Sequence, residues 1–302
     1  MKTRQLIPDD QVIVILDTSP VRDLAFAASP APWVGTFTEM SKAGYTFCLS
    51  DSTAAELLNQ VRTGRTPLQA HKQAINWVSA FLNPEVRVLP GHVDLEGMIG
   101  LHEDWDINET RFLAQVAWQK LLDPLKPDEA GRPSFKQLLE EERQEWMSDF
   151  KKLQHASRTY GLDVPKSDPG AVSTFLLESL ADRYDEASGI KPPPSIRRHL
   201  EFRYRIRQYL RTERKKEPYN PATKNNRNDG IDVYLYSYFM LPALVVANDG
   251  GFYEKLDDIS SFQKAWFVRP EQLASDWLAG KHPQPEWPEI VDEEEDDEDI
   301  EV

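Results

Sequence analysis

Two aspartates lie at the ends of short apolar runs that are rich in β-branched residues. Asp17 follows Val12–Leu16, and Asp249 ends the run 243–249. Apolar runs of this length without polar alternation predict buried strands of a parallel sheet. Ligands bind to an open parallel sheet outside the carboxyl ends of its strands. We therefore predict that both carboxylates lie at one edge of a single sheet.

Three further acids are expected near the same edge. Glu56 lies early in the helix that directly follows the predicted strand 45–50, and Asp229 and Asp232 open another predicted helix, three residues apart. Clustered carboxylates repel one another, so they need a cation or must take up protons. Oxygen ligands without His or Cys suit Mg²⁺ or Mn²⁺. Two such ions can activate a water and stabilise the leaving oxygen when a phosphodiester is cleaved.

Each acid also has a plain structural interpretation, which the sequence leaves open. Glu56 could be the capping-box partner of Thr53, and the stretch 248–251 has the composition of a simple turn. Asp17 could only cap the turn after its strand, and Asp229 could only cap a helix. Asp232 could only complement the helix dipole.

The order of the predicted elements indicates an α/β fold. The chain starts with strands at 12–16 and 45–50, each followed by a helix, and it ends with strands at 243–249 and 264–268 and a helix at 270–280. The segment 86–90 is interpreted as a strand or a loop. The helices predicted in between are 67–82, 108–123, 134–160, 171–188 and 195–216, and a further helix is predicted at 229–241.

Charge is unevenly distributed along the chain, whose formal net charge is -15. The last fourteen residues hold ten acids and no base, which predicts disorder. Residues 191–227 hold twelve Lys or Arg against three Glu, a local charge of +9. The aromatic residues among these bases favour a nucleic-acid-binding helix over a merely solvated face. Its candidate phosphate contacts are Arg197, Arg198, Arg203, Arg205, Arg207 and Arg211.

Five segments, in order, resemble the signature blocks of PIN-domain nucleases. They read "VILDTS", "STAAELL", "GIDVYLYSYF", "VVANDGGF" and "WFVRPEQLASDWL". The resemblance implies a Rossmann-like sheet of about four or five parallel strands and metal-dependent ribonuclease activity. It places the four catalytic acids, in chain order, at Asp17, Glu56, Asp232 and Asp249. Thr18 or Ser19 matches the small hydroxyl residue beside the first acid, and Asn248 matches the residue before the last.

The resemblance also divides the chain. Residues 1–65 and 225–282 are predicted to form a PIN-like α/β core, 66–224 a large helical insertion, and 283–302 an acidic disordered tail. The metal ligands are expected to be Asp17, Asp229, Asp232 and Asp249, holding Mg²⁺ or Mn²⁺. The tail could compete with nucleic acid for the basic segment, or serve only solubility.

Two classes of function follow from these observations. The first is a metal-dependent nuclease, an endoribonuclease by preference, acting on RNA or alternatively on single-stranded DNA. The second is a catalytically silent PIN-like module that binds nucleic acid or protein. A regulatory protein partner is compatible with both. The chain has no run of about 18 apolar residues and no signal-peptide pattern, and it has one cysteine, Cys48; these features predict a cytoplasmic protein without a membrane span.

Overall fold

The chain forms an α/β fold around one parallel sheet. The computed structural model describes residues 6–98 apart from Asp9, 105–127, 241–257 and 262–286, together with isolated positions in 137–159 and 220–238. The strands of this part are β1 (Val12–Leu16), β2 (Tyr45–Ser50), β3 (Val88–Leu89), β4 (Ala243–Val246) and β5 (Phe267–Val268). They lie in the order β3–β2–β1–β4–β5, and all neighbours are parallel.

Helices connect and cover these strands. Those in the described ranges are α1 (Thr18–Ala25), α2 (Pro32–Lys42), α3 (Asp51–Arg62), α4 (Leu68–Val78), α5 (His92–Met98), α6 (Ile107–Leu122), α7 (Gly250–Asp257) and α8 (Pro270–Leu278), with a 3-10 helix at Phe262–Trp266. None of the described helices is both long enough and apolar enough to cross a bilayer.

The central strand explains why its sequence carries no polar alternation. β1 pairs on one side with β2 and on the other with β4, and all five of its side chains are buried. A strand that is paired on both sides and covered on both faces has no wet position for a polar residue. The prediction that the two ends of the chain contribute to one parallel sheet is confirmed, since β1 and β2 are joined to β4 and β5.

Aromatic side chains fill the layer beside β2. The ring of Phe47, at the middle of the strand, lies 4.7 Å from that of Phe37 in α2 and 5.2 Å from that of Phe81, between ring centroids. Trp33 packs against both Phe37 and Phe81. These offset and edge-on contacts are the arrangements that aromatic quadrupoles favour. They hold α2 against the sheet and thereby help to fix the position of β2.

Two sequence predictions need correction or refinement, and others fall on residues that the structure does not describe. Residues 264–266 are part of a 3-10 helix, so the last strand is only Phe267–Val268, shorter than the predicted 264–268. The undecided segment 86–90 contains the strand β3, which pairs with β2 although it lies within 66–224. The predicted helices 171–188 and 195–216 lie outside the described residues, as does the end of the tail from residue 287 onwards.

Candidate functional site at the carboxyl edge of the sheet

The ends of β1 and β4 meet at the carboxyl edge of the sheet. The backbone amide of Asp17 donates to the carbonyl of Val246, the last residue of β4, at 2.9 Å, which extends the ladder one residue beyond the end of β1. Asn248 and Asp249 follow within three residues on the neighbouring chain segment. Asp17 and Asp249 are therefore brought to the same edge, as parallel strand ends require.

Asp17 is held by the turn that it caps. It is the N-cap of α1, and its Oδ2 accepts hydrogen bonds from the Ser19 amide at 3.1 Å and the Ser19 hydroxyl at 2.6 Å. The buried Ser19 hydroxyl also accepts from the Asn248 amide at 2.7 Å. The capping interpretation is thus correct for Asp17, and the same serine ties the ends of β1 and β4 together.

Glu56 faces the same edge from α3. Its Oε2 accepts from the Thr18 hydroxyl at 2.8 Å, and its Oε1 accepts from the Gln60 side-chain amide at 3.2 Å. The capping-box interpretation was wrong, because the N-cap of α3 is Ser50, whose hydroxyl takes the Thr53 amide at 3.0 Å. Glu56 is therefore directed towards Thr18, which follows Asp17 in the chain.

Asp249 is the most exposed of these acids and begins the helix α7. Its Oδ1 accepts from the Gly251 amide at 2.8 Å, and its carbonyl accepts from the Tyr253 amide at 3.2 Å. These are local turn and helix-start contacts, but the turn leads into the helix Gly250–Asp257, which the sequence did not predict. The Asn248 side chain donates to Asp23 of α1 at 3.0 Å, so this turn is fixed against the helix that Asp17 caps.

Burial and repulsion between carboxylates raise the pKa values of Asp17 and Glu56. The repulsion acts in two pairs, and Asp17 belongs to both. Burial raises the pKa of Asp17, hydrogen bonds from Ser19 oppose this, and the carboxylate of Asp249 raises it further. Burial also raises the pKa of Glu56, the Thr18 hydrogen bond opposes this, and the carboxylate of Asp17 adds to the increase. Such carboxylates favour uptake of a proton or a cation.

The donor chemistry of these pairs fits a hard divalent cation, since carboxylate oxygens are the ligands that Mg²⁺ and Mn²⁺ prefer. Among the described residues, however, no group of three or more His, Cys, Asp or Glu side chains is arranged to hold a metal ion. Asp232 lies in a helical, half-buried position, whereas Asp229 and the six predicted arginines of the basic helix lie outside the described residues. The four-ligand set stays a prediction.

A further acid at this edge was missed in the sequence. Asp51 comes directly after β2, and the Tyr238 hydroxyl lies 3.0 Å from its Oδ1, 3.2 Å from its amide nitrogen and 3.2 Å from the Leu89 carbonyl. Burial raises the pKa of Asp51, and the carboxylate of Asp94 adds to it. The rule that selected Asp17, an acid immediately after an apolar strand, would have selected Asp51 as well.

Replacing Tyr238 by Phe is expected to destabilise the fold by about 1–2 kcal/mol. The Tyr238 side chain is 1% exposed, and its hydroxyl joins the ends of β2 and β3 to the segment that also carries Asp232. The change leaves the Asp51 amide and the Leu89 carbonyl without this partner. Urea unfolding would measure the loss, and a Tyr238→Phe protein as stable as the parent would contradict the assigned contacts.

The stability advantage of an Asp17→Asn protein over the parent is expected to grow as pH rises. Because folding raises the pKa of Asp17, the proton it binds favours the folded state only at low pH, and that contribution is lost as pH rises through the folded pKa. Asparagine does not ionise and has no such loss. Melting temperatures of both proteins in chelator, from about pH 4 to about pH 8, would test this; a constant difference would contradict it.

Comparison of the chain with models of known protein families, with curated proteins and with solved structures gives no match.

Proposed function

We propose that this chain is a Mg²⁺- or Mn²⁺-dependent nuclease of the PIN type that hydrolyses phosphodiester bonds, with RNA as its substrate. The observation that carries the proposal is the position of Asp17. This acid lies at the carboxyl edge of a parallel sheet, hydrogen-bonded by Ser19, and it interacts repulsively with both Asp249 and Glu56. Keeping two carboxylates within range of Asp17 costs stability in the metal-free protein, which favours a functional origin.

In this proposal Asp17, Asp249 and Asp232 hold the divalent ion. When bound, the ion would polarise a phosphoryl oxygen and lower the pKa of a water molecule. Ser19 orients Asp17, and it also fixes the Asn248 amide, so that the two strand ends keep their spacing.

Glu56 is assigned the transfer of a proton from the attacking water. Thr18 and Gln60 orient its two oxygens separately, so the carboxylate is fixed in a single direction. Burial raises the pKa of Glu56 towards neutral pH, and a general base is more effective when its pKa lies near the pH at which it works. Asp17 is less suited to this role, because both of its hydrogen bonds from Ser19 fall on Oδ2 and hold it as a ligand.

A cleavage assay with defined metals tests the proposal. The full chain is incubated with labelled single-stranded RNA and, separately, single-stranded DNA, in Mg²⁺, in Mn²⁺ and in chelator. We expect cleavage of RNA with either metal and none in chelator. Undiminished cleavage in chelator would refute the metal mechanism, and cleavage of DNA alone would refute the RNA assignment.

The non-catalytic module is the second candidate, and two observations favour it. Asp17 and Asp249 each make the local hydrogen bonds of an ordinary cap or turn, and no three-acid metal group is found in the part of the chain that the structure describes. The assay is run with protein in excess over single-stranded RNA. Binding without cleavage in either metal would support this alternative.

A further inference from the structure

An arginine lies beyond the acids in the same row of strand ends. Arg269 directly follows β5, which pairs with β4, the strand that leads to Asn248 and Asp249. Its side chain is exposed, and its Nη1 donates to the Asn248 carbonyl at 3.3 Å. The carboxyl edge therefore presents carboxylates at the ends of β1 and β4 and a guanidinium at the end of β5.

The guanidinium is seated on an aromatic ring. The Cζ of Arg269 lies 4.8 Å from the ring centroid of Tyr253, and the Tyr253 hydroxyl donates to the Ala247 carbonyl at 3.2 Å. A cation over an aromatic face is attracted by the ring quadrupole. Arg269 is thus held by two contacts, to a ring and to a carbonyl, rather than moving freely on the surface.

Tyr253 contacts both this cation, through its ring, and Asp249, whose carbonyl accepts from the Tyr253 amide at 3.2 Å. The contact with Tyr253 is to a neutral ring face, so it does not compensate the charge of Arg269. Among the described side chains, no carboxylate lies within ion-pair distance of Arg269.

The local sequence fixes this placement. Arg269 precedes Pro270, and a residue before proline is restricted to extended conformations. Arg269 adopts φ -79° and ψ 148° and is the N-cap of α8, so its backbone direction is set before its side chain makes any contact. The guanidinium is consequently preorganised at the edge, which lowers the entropy lost when it binds an anion.

We propose that Arg269, seated on Tyr253, forms a phosphate-binding subsite for the strand of nucleic acid whose neighbouring phosphodiester lies over Asp17 and Asp249. This inference rests on the proposed function in taking a nucleic acid as the ligand and in placing one of its phosphodiesters over Asp17 and Asp249. Adjacent parallel strands are about 4.8 Å apart, so β5 lies roughly 10 Å from β1 along the edge. A guanidinium at that offset meets a phosphate next to the cleaved one and offsets the repulsion between the carboxylates and the strand.

Anisotropy of a fluorescein-labelled single-stranded RNA tests the subsite without requiring cleavage. All proteins are full-length, carry Asp17→Asn and are kept in chelator. Adding Arg269→Gln is expected to weaken binding roughly three- to tenfold at low salt. It should also make the salt dependence shallower by about 0.7 between about 50 and about 200 mM salt, as loss of one phosphate contact requires.

Lys42→Gln is the matched control. It removes one positive charge from an exposed side chain at the end of α2, which lies at the opposite, amino edge of the sheet because β2 begins three residues later. Arg269→Lys keeps the charge but loses the flat fork, and should bind with intermediate affinity. Equal affinity and equal salt slope for Arg269→Gln and Lys42→Gln would overturn the subsite, as would absence of RNA binding by the parent.

These outcomes separate the subsite from the nuclease proposal. Weakened binding by Arg269→Gln, together with no cleavage by the wild-type chain in Mg²⁺ or Mn²⁺, would keep the subsite and reject the nuclease. Metal-dependent cleavage together with unchanged binding by Arg269→Gln would do the reverse.

Discussion

The Asp17→Asn protein is expected to lose RNA cleavage by more than about a hundredfold in Mg²⁺ or Mn²⁺. Loss of a group that only supports a metal ligand typically costs 10- to 100-fold, roughly, so loss of a ligand itself should cost more. Asp17 is the acid with the greatest expected effect, because it is the one paired with both Asp249 and Glu56. Turnover should fall while binding of RNA persists.

The same variant is expected to keep the fold and to melt at a higher temperature in chelator. The asparagine carbonyl can still accept the two hydrogen bonds from Ser19, so the cap of α1 is retained. Neutralising the side chain removes its repulsion with Asp249 and Glu56 and the cost of burying a charge. A gain in stability accompanied by a loss of activity is the result expected of a functional site.

Asp276→Asn is the control, because it makes the same chemical change at a position outside the site. Asp276 lies in α8, where it accepts hydrogen bonds from Gln272 and Lys281, and these interactions lower its pKa. Its replacement should leave cleavage unchanged and bring no gain in melting temperature. If Asp17→Asn retained full cleavage, or if both variants lost it equally, the assignment of Asp17 as a ligand would fail.

The parts of the fold that followed from the sequence are those set by burial on both faces. β1 and β2 were predicted with the bounds that the structure has, and the unbroken apolar run of β1 is what a strand covered on both faces favours. The segment 264–268, which is apolar after Lys264, was misleading, since its first three residues belong to the 3-10 helix that directly precedes the short edge strand β5. Short apolar runs do not by themselves distinguish a strand from a tight helix.

The sequence predicted that the site lies at the carboxyl edge of the sheet, but it did not predict the hydrogen bonds within the site. Parallel strand ends placed Asp17 and Asp249 together, whereas the cap of α3 depended on Ser50, the last residue of β2, and not on Thr53. The composition of the stretch 248–251 left a simple turn open as an alternative. The structure nevertheless begins α7 at Gly250, with Asp249 accepting the first helical bond. Glu56 accepts from Thr18, which lies 38 residues away in the sequence, and no local pattern encodes that contact.

The positions of the strand ends depend on the aromatic layer, and Phe47→Ala is expected to reduce the free energy of unfolding by about 3–5 kcal/mol. The Phe47 side chain is 0% exposed and packs against Phe37 and Phe81. Removing it leaves a cavity that its neighbours cannot fill, because two of its contacts come from rings fixed in separate elements. The loss should appear in urea unfolding as a lower midpoint with an unchanged slope.

Phe112→Ala provides the comparison, since it makes the same chemical change on α6 at a side chain that is 63% exposed. We expect its unfolding free energy to stay within about 0.5 kcal/mol of the parent's. Phe47 pairs in register with Val14 of β1, three residues before Asp17, so a cavity there also loosens the strand that ends in the site. Phe47→Ala should therefore weaken Mn²⁺-induced stabilisation as well as the fold, whereas Phe112→Ala should change neither. Equal destabilisation by the two variants would contradict the assigned core.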